Sequence, residues 1–418
     1  MASRGRHLTQ GGFALQHSGG VLARLLAGGV EPLIDRIDRG IATGSLRAVL
    51  PDGSTRVLGG RAPGIEARIT VHDYRCVLRL ATGGSVGWYK AWELGEWESP
   101  DPVQIFALFA ANAVTLGAAG RAKGPWRLAA RALHALRRNT PSGSRANIAA
   151  HYDLGNDFYA AWLDETMTYS SALWAADAPD ADLVGAQHAK MDRIADRLAL
   201  SPGDRALEIG CGWGGTAAAM AARGIDVDAI SLSDEQLSWA RDHASGDARG
   251  GVNFEKRDYR DVAGTYDGIY SIEMVEALGH EYWPAFLDVV SRHLKPGGRA
   301  AIQFISMRDE VFDAYAGSAD FIQTYVFPGG LLIRASEFRA LAEARGLSWR
   351  DEERFGADYA RTLAIWRERF DAAVADNRLP AGFDTRFVAL WRYYLMYCEG
   401  GFAGGGIDVH QVTLVRED

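Results

Sequence analysis

The sequence predicts an α/β protein in which a doubly wound parallel sheet follows a smaller α+β domain, and three observations predict it. First, Arg205-Ala206-Leu207-Glu208-Ile209 is a short apolar run leading into Gly210-Cys211-Gly212-Trp213-Gly214-Gly215, and an alanine-rich stretch follows from Thr216 to Ala222. That is the pattern of a buried strand, a tight turn and a helix start. Second, strand and helix patterns alternate beyond that point, as a parallel sheet with crossover helices requires. Third, the period before residue 120 is different, with short alternating strands beside amphipathic helical stretches.

Residues 1–20 are polar and glycine-rich. Over 21–40, Leu22, Leu25, Leu26, Val30, Leu33, Ile34 and Ile37 recur at helical spacing, interrupted by Gly28-Gly29 and Pro32. Residues 45–50 and 55–58 flank Pro51-Asp52-Gly53-Ser54 and read as a β-hairpin. Residues 67–71 and 75–80 are predicted as two further strands with alternating faces, and 102–114 as a helix. These elements make residues 1–120 an α+β accessory domain.

Residues 121–150 form a basic linker or amphipathic helix. Between Pro102 and Tyr152 no acidic residue occurs, while Arg121, Lys123, Arg127, Arg131, Arg137, Arg138 and Arg145 do. Trp126, Leu128, Leu133 and Leu136 give the same stretch an apolar side. Arginines on lipid phosphates with Trp126 at the interface would suit an anionic membrane surface; a solvated linker is the plain alternative.

Residues 151–418 are the third division. Predicted strands cover 206–209, 227–231, 252–256, 266–272 and 299–305, and predicted helices 215–222, 234–243, 282–293 and 336–345. Residues 310–335 and 355–402 are aromatic-rich inserts, placed to wall an apolar pocket above the sheet.

Composition narrows the function. A chain of 418 residues holds two or three domains and a large core. Its 48% hydrophobic and 23% charged residues are those of a soluble globular protein. The formal net charge of −8 argues against bulk nucleic-acid binding. Cys76, Cys211 and Cys398 are far apart, which excludes a zinc or disulfide framework and fits a reducing cytoplasm. No apolar core follows Arg4 and Arg6, so no signal peptide is expected. The longest apolar stretch, 106–119, contains Asn112 and Thr115 and is too short to span a bilayer.

Ligands of such a sheet sit at the carboxyl ends of the strands. The glycines after Ile209 let the backbone turn and a ligand approach without an intervening Cβ. Glu208 suits a cationic or hydroxyl-bearing ligand, and no Walker lysine accompanies the turn to hold a phosphate. Further polar groups stand at Ser231-Leu232-Ser233-Asp234-Glu235-Gln236, Arg257-Asp258-Tyr259-Arg260, Ser271-Ile272-Glu273-Met274-Val275-Glu276 and Ile302-Gln303-Phe304. Five successive strand ends with polar groups form a more specific signal than any one of them. The histidines show no metal-ligand spacing.

Several motifs carry a resemblance. They are His151-Tyr152-Asp153-Leu154-Gly155-Asn156-Asp157-Phe158-Tyr159, Met167-Thr168-Tyr169-Ser170-Ser171 and the turn from Glu208 to Gly215. Beyond these stand Glu276 with Gly279-His280-Glu281-Tyr282-Trp283, and Phe321-Ile322-Gln323 with Phe327-Pro328-Gly329-Gly330. Phe355-Gly356-Ala357-Asp358-Tyr359 completes the set. Over about 145–416 the chain resembles class I S-adenosylmethionine-dependent methyltransferases of the cyclopropane fatty acid synthase family. The N-terminal domain is similar to the accessory domain of longer bacterial members. The resemblance implies a Rossmann-like seven-stranded methyltransferase sheet and C-methylation of the double bond of an unsaturated acyl chain, on membrane phospholipid. It also implies a carbocation deprotonated by bound bicarbonate.

By motif matching, the bicarbonate ligands are Glu276, Tyr359, the amide of Ser171 where the family carries cysteine, and Gln303 at a histidine position. Glutamine can hold an oxyanion through its N–H but does not titrate near neutral pH. Tyr169 and Ser170 fall near the methionine end of S-adenosylmethionine, with Gly210 and Gly212 beneath it and Glu208 among the cofactor-binding residues. Ser231, Leu232 and Gln236 fall around the ribose, and Asp258 and Tyr259 beside adenine. Cys211 and Trp213 suit turn packing as well as contact, and His280 suits a capping role before Tyr282.

Among the aromatics Phe321, Tyr325, Phe327, Tyr359, Trp366, Tyr393, Tyr394 and Phe402, Tyr359 is the one assigned to face the cation. Loss of a proton from the incoming methyl gives a cyclopropane; loss from a neighbouring carbon gives a methylene branch, which a partner reductase could convert to a methyl branch. The resemblance spans both outcomes and allows a homodimer. A small-molecule methyltransferase and an inactive lipid-binding homologue are the competing readings. The expected location is cytoplasmic, peripheral to the inner face of the membrane, without nucleic-acid partners.

Overall fold

The computed structural model describes residues 4, 5, 8, 20–117, 154–174, 182–243, 249–318 and 320–417. The basic stretch 121–150 and His151-Tyr152-Asp153 lie outside the described residues. The chain divides into two compact units that do not follow sequence order. One runs over 1–137, 308–328 and 382–407, the other over 138–307, 329–381 and 408–418.

In the first unit a helix, Gly20–Gly40, precedes the strands β1 (Ser45–Val49), β2 (Thr55–Gly59), β3 (Glu66–Val71) and β4 (Trp97–Glu98), in sheet order β2-β1-β3-β4. The hairpin closes as expected. Gly53 adopts φ +84, and Asp52 accepts the Ser54 N–H at 2.9 Å.

The predicted strand 75–80 is instead the start of a helix, Arg75–Glu93. Its six residues alternate, but the longer window carries Cys76, Leu80, Gly84 and Trp88 at a four-residue spacing, and all four are buried. Asp73 accepts the Arg75 N–H at 2.8 Å and opens the helix. The expected helix 102–114 ends at Ala111, where Asn112 turns inward and accepts the Ala42 and Thr43 amides at 2.8 and 3.0 Å.

The inserts do not stay together. Phe321, Tyr325, Phe327, Tyr393, Tyr394 and Phe402 belong to the first unit, where Phe321 and Tyr393 pack against Tyr89 with ring centroids 5.0 and 4.9 Å away. Tyr359 and Trp366 belong to the second.

The second unit holds the seven-stranded sheet. Its strands are β5 (Arg205–Ile209), β6 (Asp226–Ser231), β7 (Val252–Lys256), β8 (Tyr266–Ile272), β9 (Leu294–Met307), β10 (Leu347–Arg354) and β11 (Ile407–Arg416). Their order is β10-β11-β9-β8-β5-β6-β7. Pairs β5/β6, β6/β7, β5/β8 and β8/β9 are parallel, and β10/β11 is antiparallel. All five predicted strands and four predicted helices of this unit are present within a few residues of their expected bounds. Two strands, β10 and β11, and the helices Leu183–Leu198 and Gly356–Ala375 come in addition.

Ala206, Val227, Ala229 and Tyr270 of the sheet bury against Ile194, Leu198, Ala217, Met220 and Leu237 of the flanking helices. Strand order reverses between β5 and β8, which are neighbours in space but not in sequence. That reversal opens a crevice beyond their carboxyl ends.

Candidate active site

At the end of β5, Gly210, Gly212 and Gly214 adopt φ of +86, +53 and +85. Gly210 and Cys211 both donate their amides to Ile230, at 2.9 and 3.0 Å, which pins the turn to β6. A Cβ on Gly210 would lie 2.7 Å from Met274 Cγ. One on Gly212 would meet nothing within 4 Å among the described residues, so that residue opens onto space a ligand can enter. Cys211 is buried, and Trp213 donates its indole N–H to Asn156 at 2.7 Å.

Glu208 is buried, accepts the Tyr270 hydroxyl at 3.2 Å, and is pushed up to about 8 by burial. Lys190 is wholly buried and donates to Ser170 Oγ and Gln187 Oε1 at 2.7 and 2.6 Å. Burial pulls its ammonium down to about 8, against the attraction of Glu273, Asp164 and Glu208.

At the end of β6, Ser231 and Gln236 are buried and linked Oγ to Oε1 at 3.3 Å, with Leu232 partly exposed between them. After β7, Asp258 is forked by Arg260 at 2.8 and 2.5 Å. Beside it the Tyr259 hydroxyl is buried with no hydrogen-bond partner among the described residues and is raised to about 12 by burial. Open space over Gly212 and an orphaned hydroxyl at Tyr259 fit an adenosyl ligand laid across these strand ends.

The end of β8 carries the cluster. Ile272 pairs with Gln303 of β9, and Glu273 leaves the strand at φ +50, donating its amide to the Gln303 carbonyl at 2.8 Å. Glu273 Oε1 accepts the Ser171 amide at 2.9 Å and Gln303 Nε2 at 2.7 Å. The Tyr359 hydroxyl donates to the same carboxyl. Burial raises Glu273 above the ordinary carboxylate range, and these three donors with Lys190 oppose the rise.

Gln303 is itself oriented. Its Oε1 accepts Gln411 Nε2 at 2.9 Å, and Gln411 Oε1 accepts Arg197 Nε at 3.2 Å. Glu276 accepts the Ile305 amide through Oε1, while its buried Oε2 has no partner among the described residues. Burial, then the neighbouring Glu273, pushes Glu276 up to about 8.

Aromatic rings flank the cluster. Tyr169 lies 5.5, 5.6 and 5.4 Å from the rings of Tyr159, Trp162 and Trp366, and Trp366 lies 5.9 Å from Tyr359. Such faces stabilise a positive charge within about 6 Å.

The structure therefore brings Ser171, Gln303 and Tyr359 together, with Ser170 and Tyr169 alongside. The carboxyl on which the three donors converge is Glu273, not the expected Glu276. The cradle read as a bicarbonate site is filled by a side chain of the protein, so its residues do not fit that anion without displacing Glu273. His280 bonds Glu337 at 2.7 Å in place of a cap.

Glu273, Lys190 and Gln411 escape motif reading. The one signal for Glu273 is a second carboxylate in the strand-end hexapeptide 271–276, opposite Gln303 across a parallel pair.

A model of the family described as mycolic acid cyclopropane synthetase matches residues 140–412. Tuberculostearic acid methyltransferase UfaA1 of Mycobacterium tuberculosis is 36% identical over 94% of this chain and 93% of its own length. Cyclopropane-fatty-acyl-phospholipid synthase of Escherichia coli K12 is 33% identical over 86% of this chain and 90% of its own. The solved mycolic acid cyclopropane synthase CmaA1, complexed with SAH and CTAB, superposes with a TM-score of 0.60 at 30% identity, covering 65% of this chain and 98% of that one.

Proposed function

We propose that this chain, which belongs to the mycolic acid cyclopropane synthetase family and is an S-adenosylmethionine-dependent methyltransferase acting on fatty acyl lipids, methylates the double bond of an unsaturated phospholipid acyl chain to give a cyclopropane. The observation that carries this reading is the buried Glu273–Gln303–Tyr359 cluster with aromatic faces against it. An alkene offers no proton to an ordinary base before it reacts, but it develops positive charge as it does. Rings that stabilise a cation beside a carboxyl that accepts a proton suit that sequence of events.

S-adenosylmethionine supplies an electrophilic sulfonium methyl. Gly210 and Gly212 leave room for it, Glu208, Ser231, Leu232 and Gln236 offer hydrogen bonds and packing around a ribose, and Asp258 with Tyr259 borders an adenine. Glu276 Oε2 is a buried polar atom that a bound ligand would satisfy. The dry, aromatic surroundings exclude water from the charged acyl chain.

Incubation with S-adenosylmethionine and vesicles of unsaturated phospholipid should add one CH2 to the acyl chains, and the product should resist hydrogenation as a ring does. Unchanged acyl mass with every unsaturated lipid would overturn the reading.

No described helix is long and apolar enough to cross a membrane, and attachment is assigned to the basic stretch 121–150, on the cytoplasmic face. Each basic residue near an anionic surface contributes roughly 1 kcal/mol. Neutralising Arg127, Arg131, Arg137 and Arg138 together should therefore weaken binding to phosphatidylserine vesicles at least ~10-fold and leave cofactor affinity unaltered. Undiminished binding in a flotation assay would return the stretch to a solvated linker.

A further inference from the structure

Resting on the acyl methylation proposed above, we infer that the Glu273 carboxylate is the resident base of the reaction, standing where a diffusible bicarbonate would otherwise sit. Three donors from three separate elements meet at this one carboxyl. The Ser171 amide comes from the loop after Tyr169, the Gln303 amide from β9, and the Tyr359 hydroxyl from the helix Gly356–Ala375. Convergent donors of this kind make an oxyanion cradle, and here its occupant is covalently part of the chain.

The backbone agrees. Glu273 is one of five non-glycine residues at positive φ among the described residues, at +50. Left-handed backbone at a non-glycine position persists where the surroundings over-determine it, and such positions cluster at functional sites. Two contacts with Gln303 help hold this one: its amide to the Gln303 carbonyl at 2.8 Å, and its carboxyl to Gln303 Nε2 at 2.7 Å.

The amide's polarity agrees as well. Gln411 donates to Gln303 Oε1 at 2.9 Å, so Gln303 presents its N–H to the carboxylate. Gln303 has no proton to exchange near neutral pH, which leaves the carboxylate as the group in the cradle able to accept one. Tyr359 joins that carboxylate to the aromatic faces, with Trp366 5.9 Å from its ring.

The step balances with what is present. The alkene π pair forms a bond to the methyl carbon as the carbon–sulfur bond breaks, its electrons leaving with the sulfur. Positive charge is left on the acyl chain. A C–H bond of the added methyl then gives its proton to Glu273, and its electron pair closes the ring. Glu273 passes the proton to solvent as the product leaves. No oxidant, reductant or added base takes part.

The test has two arms, both on the full chain. In the first, product formation is followed in carbon-dioxide-free buffer with and without added bicarbonate. Wild-type turnover is expected to be the same in both, and Glu273→Gln to keep its cofactor affinity by calorimetry while losing at least ~100-fold in turnover. In the second, binding of 13C-bicarbonate is followed by line broadening. Saturable binding is expected to be absent from the wild type and to appear in Glu273→Gly, where the cradle is vacated. A wild-type rate that falls on bicarbonate removal and returns on its addition would overturn the assignment. So would saturable bicarbonate binding by the wild type, or full turnover by Glu273→Gln. A wild type that makes no product under any condition overturns the acyl-methylation reading instead, and the binding arm still decides what fills the cradle.

Discussion

Replacing Gly210 by valine is expected to abolish S-adenosylmethionine binding and to destabilise the fold by about 3 kcal/mol. Two costs add. The residue sits at φ +86, a region where a side chain costs roughly 1–2 kcal/mol. Its Cβ would stand 2.7 and 2.9 Å from Met274 Cγ and Cβ, and overpacking of that kind costs about 1–3 kcal/mol. The turn cannot shift to relieve the clash without losing the two amide bonds to Ile230. Calorimetry for the cofactor and a thermal melt read the two effects separately. Gly212→Ala supplies the contrast: at φ +53 it keeps a backbone cost of roughly 1 kcal/mol, but its Cβ meets no described atom within 4 Å, so most of the stability should survive while the new methyl intrudes on ligand space. Cofactor affinity retained by both variants would remove this turn from the cofactor site.

Glu276→Gln should stabilise the protein at alkaline pH. The folded carboxyl is raised to about 8 from an ordinary 4.5, first by burial and then by Glu273. A raised acid favours the fold in its protonated form. Its contribution is complete below the unfolded value of about 4.5 and is lost as pH rises through about 8. The gap between the two values corresponds to about 5 kcal/mol at most. Most of that loss falls below pH 7, so between pH 6 and pH 9.5 the wild type should lose about 3 kcal/mol of stability that the glutamine variant, which never ionises, keeps. Parallel melting curves for the two proteins from pH 6 to pH 9.5 would show that Glu276 does not titrate as a buried acid.

Much of the sheet was legible because each central parallel strand is an apolar run ending in a turn, and burial on both faces writes that signal plainly. The two strands that went unread break the rule for physical reasons. β10 carries Arg350, Asp351, Glu352, Glu353 and Arg354 at its exposed end and resembles a loop. β11 buries His410, Gln411 and Thr413, polar residues that hydrogen bonds satisfy but that interrupt an apolar pattern. The strand expected at 75–80 fails because six residues are too few to separate alternation from the four-residue stripe that continues to Trp88.

At the site, Ser171, Gln303 and Tyr359 were legible as members of one cluster through matched motifs. Which of two nearby carboxylates they would hold was not. Glu273 and Glu276 are three residues apart at a strand end, and only the left-handed turn at Glu273 decides which of them reaches the donors.

The link from Glu273 through Gln303 and Gln411 to Arg197 has a consequence for the order in which the protein matures. Gln303 and Gln411 are separated by 108 residues, and Arg197 and Gln411 by 214. A nascent chain that has emerged only through β9 can assemble all five parallel strands, and the Glu273 carboxylate, an acceptor only, already turns the Gln303 N–H toward itself. The brace on the other end of that amide, Gln411 against Gln303 Oε1, waits for β11 to dock. Long-range pairings of this kind are late, slow events in folding, so the framework of the sheet precedes the bracing of its site.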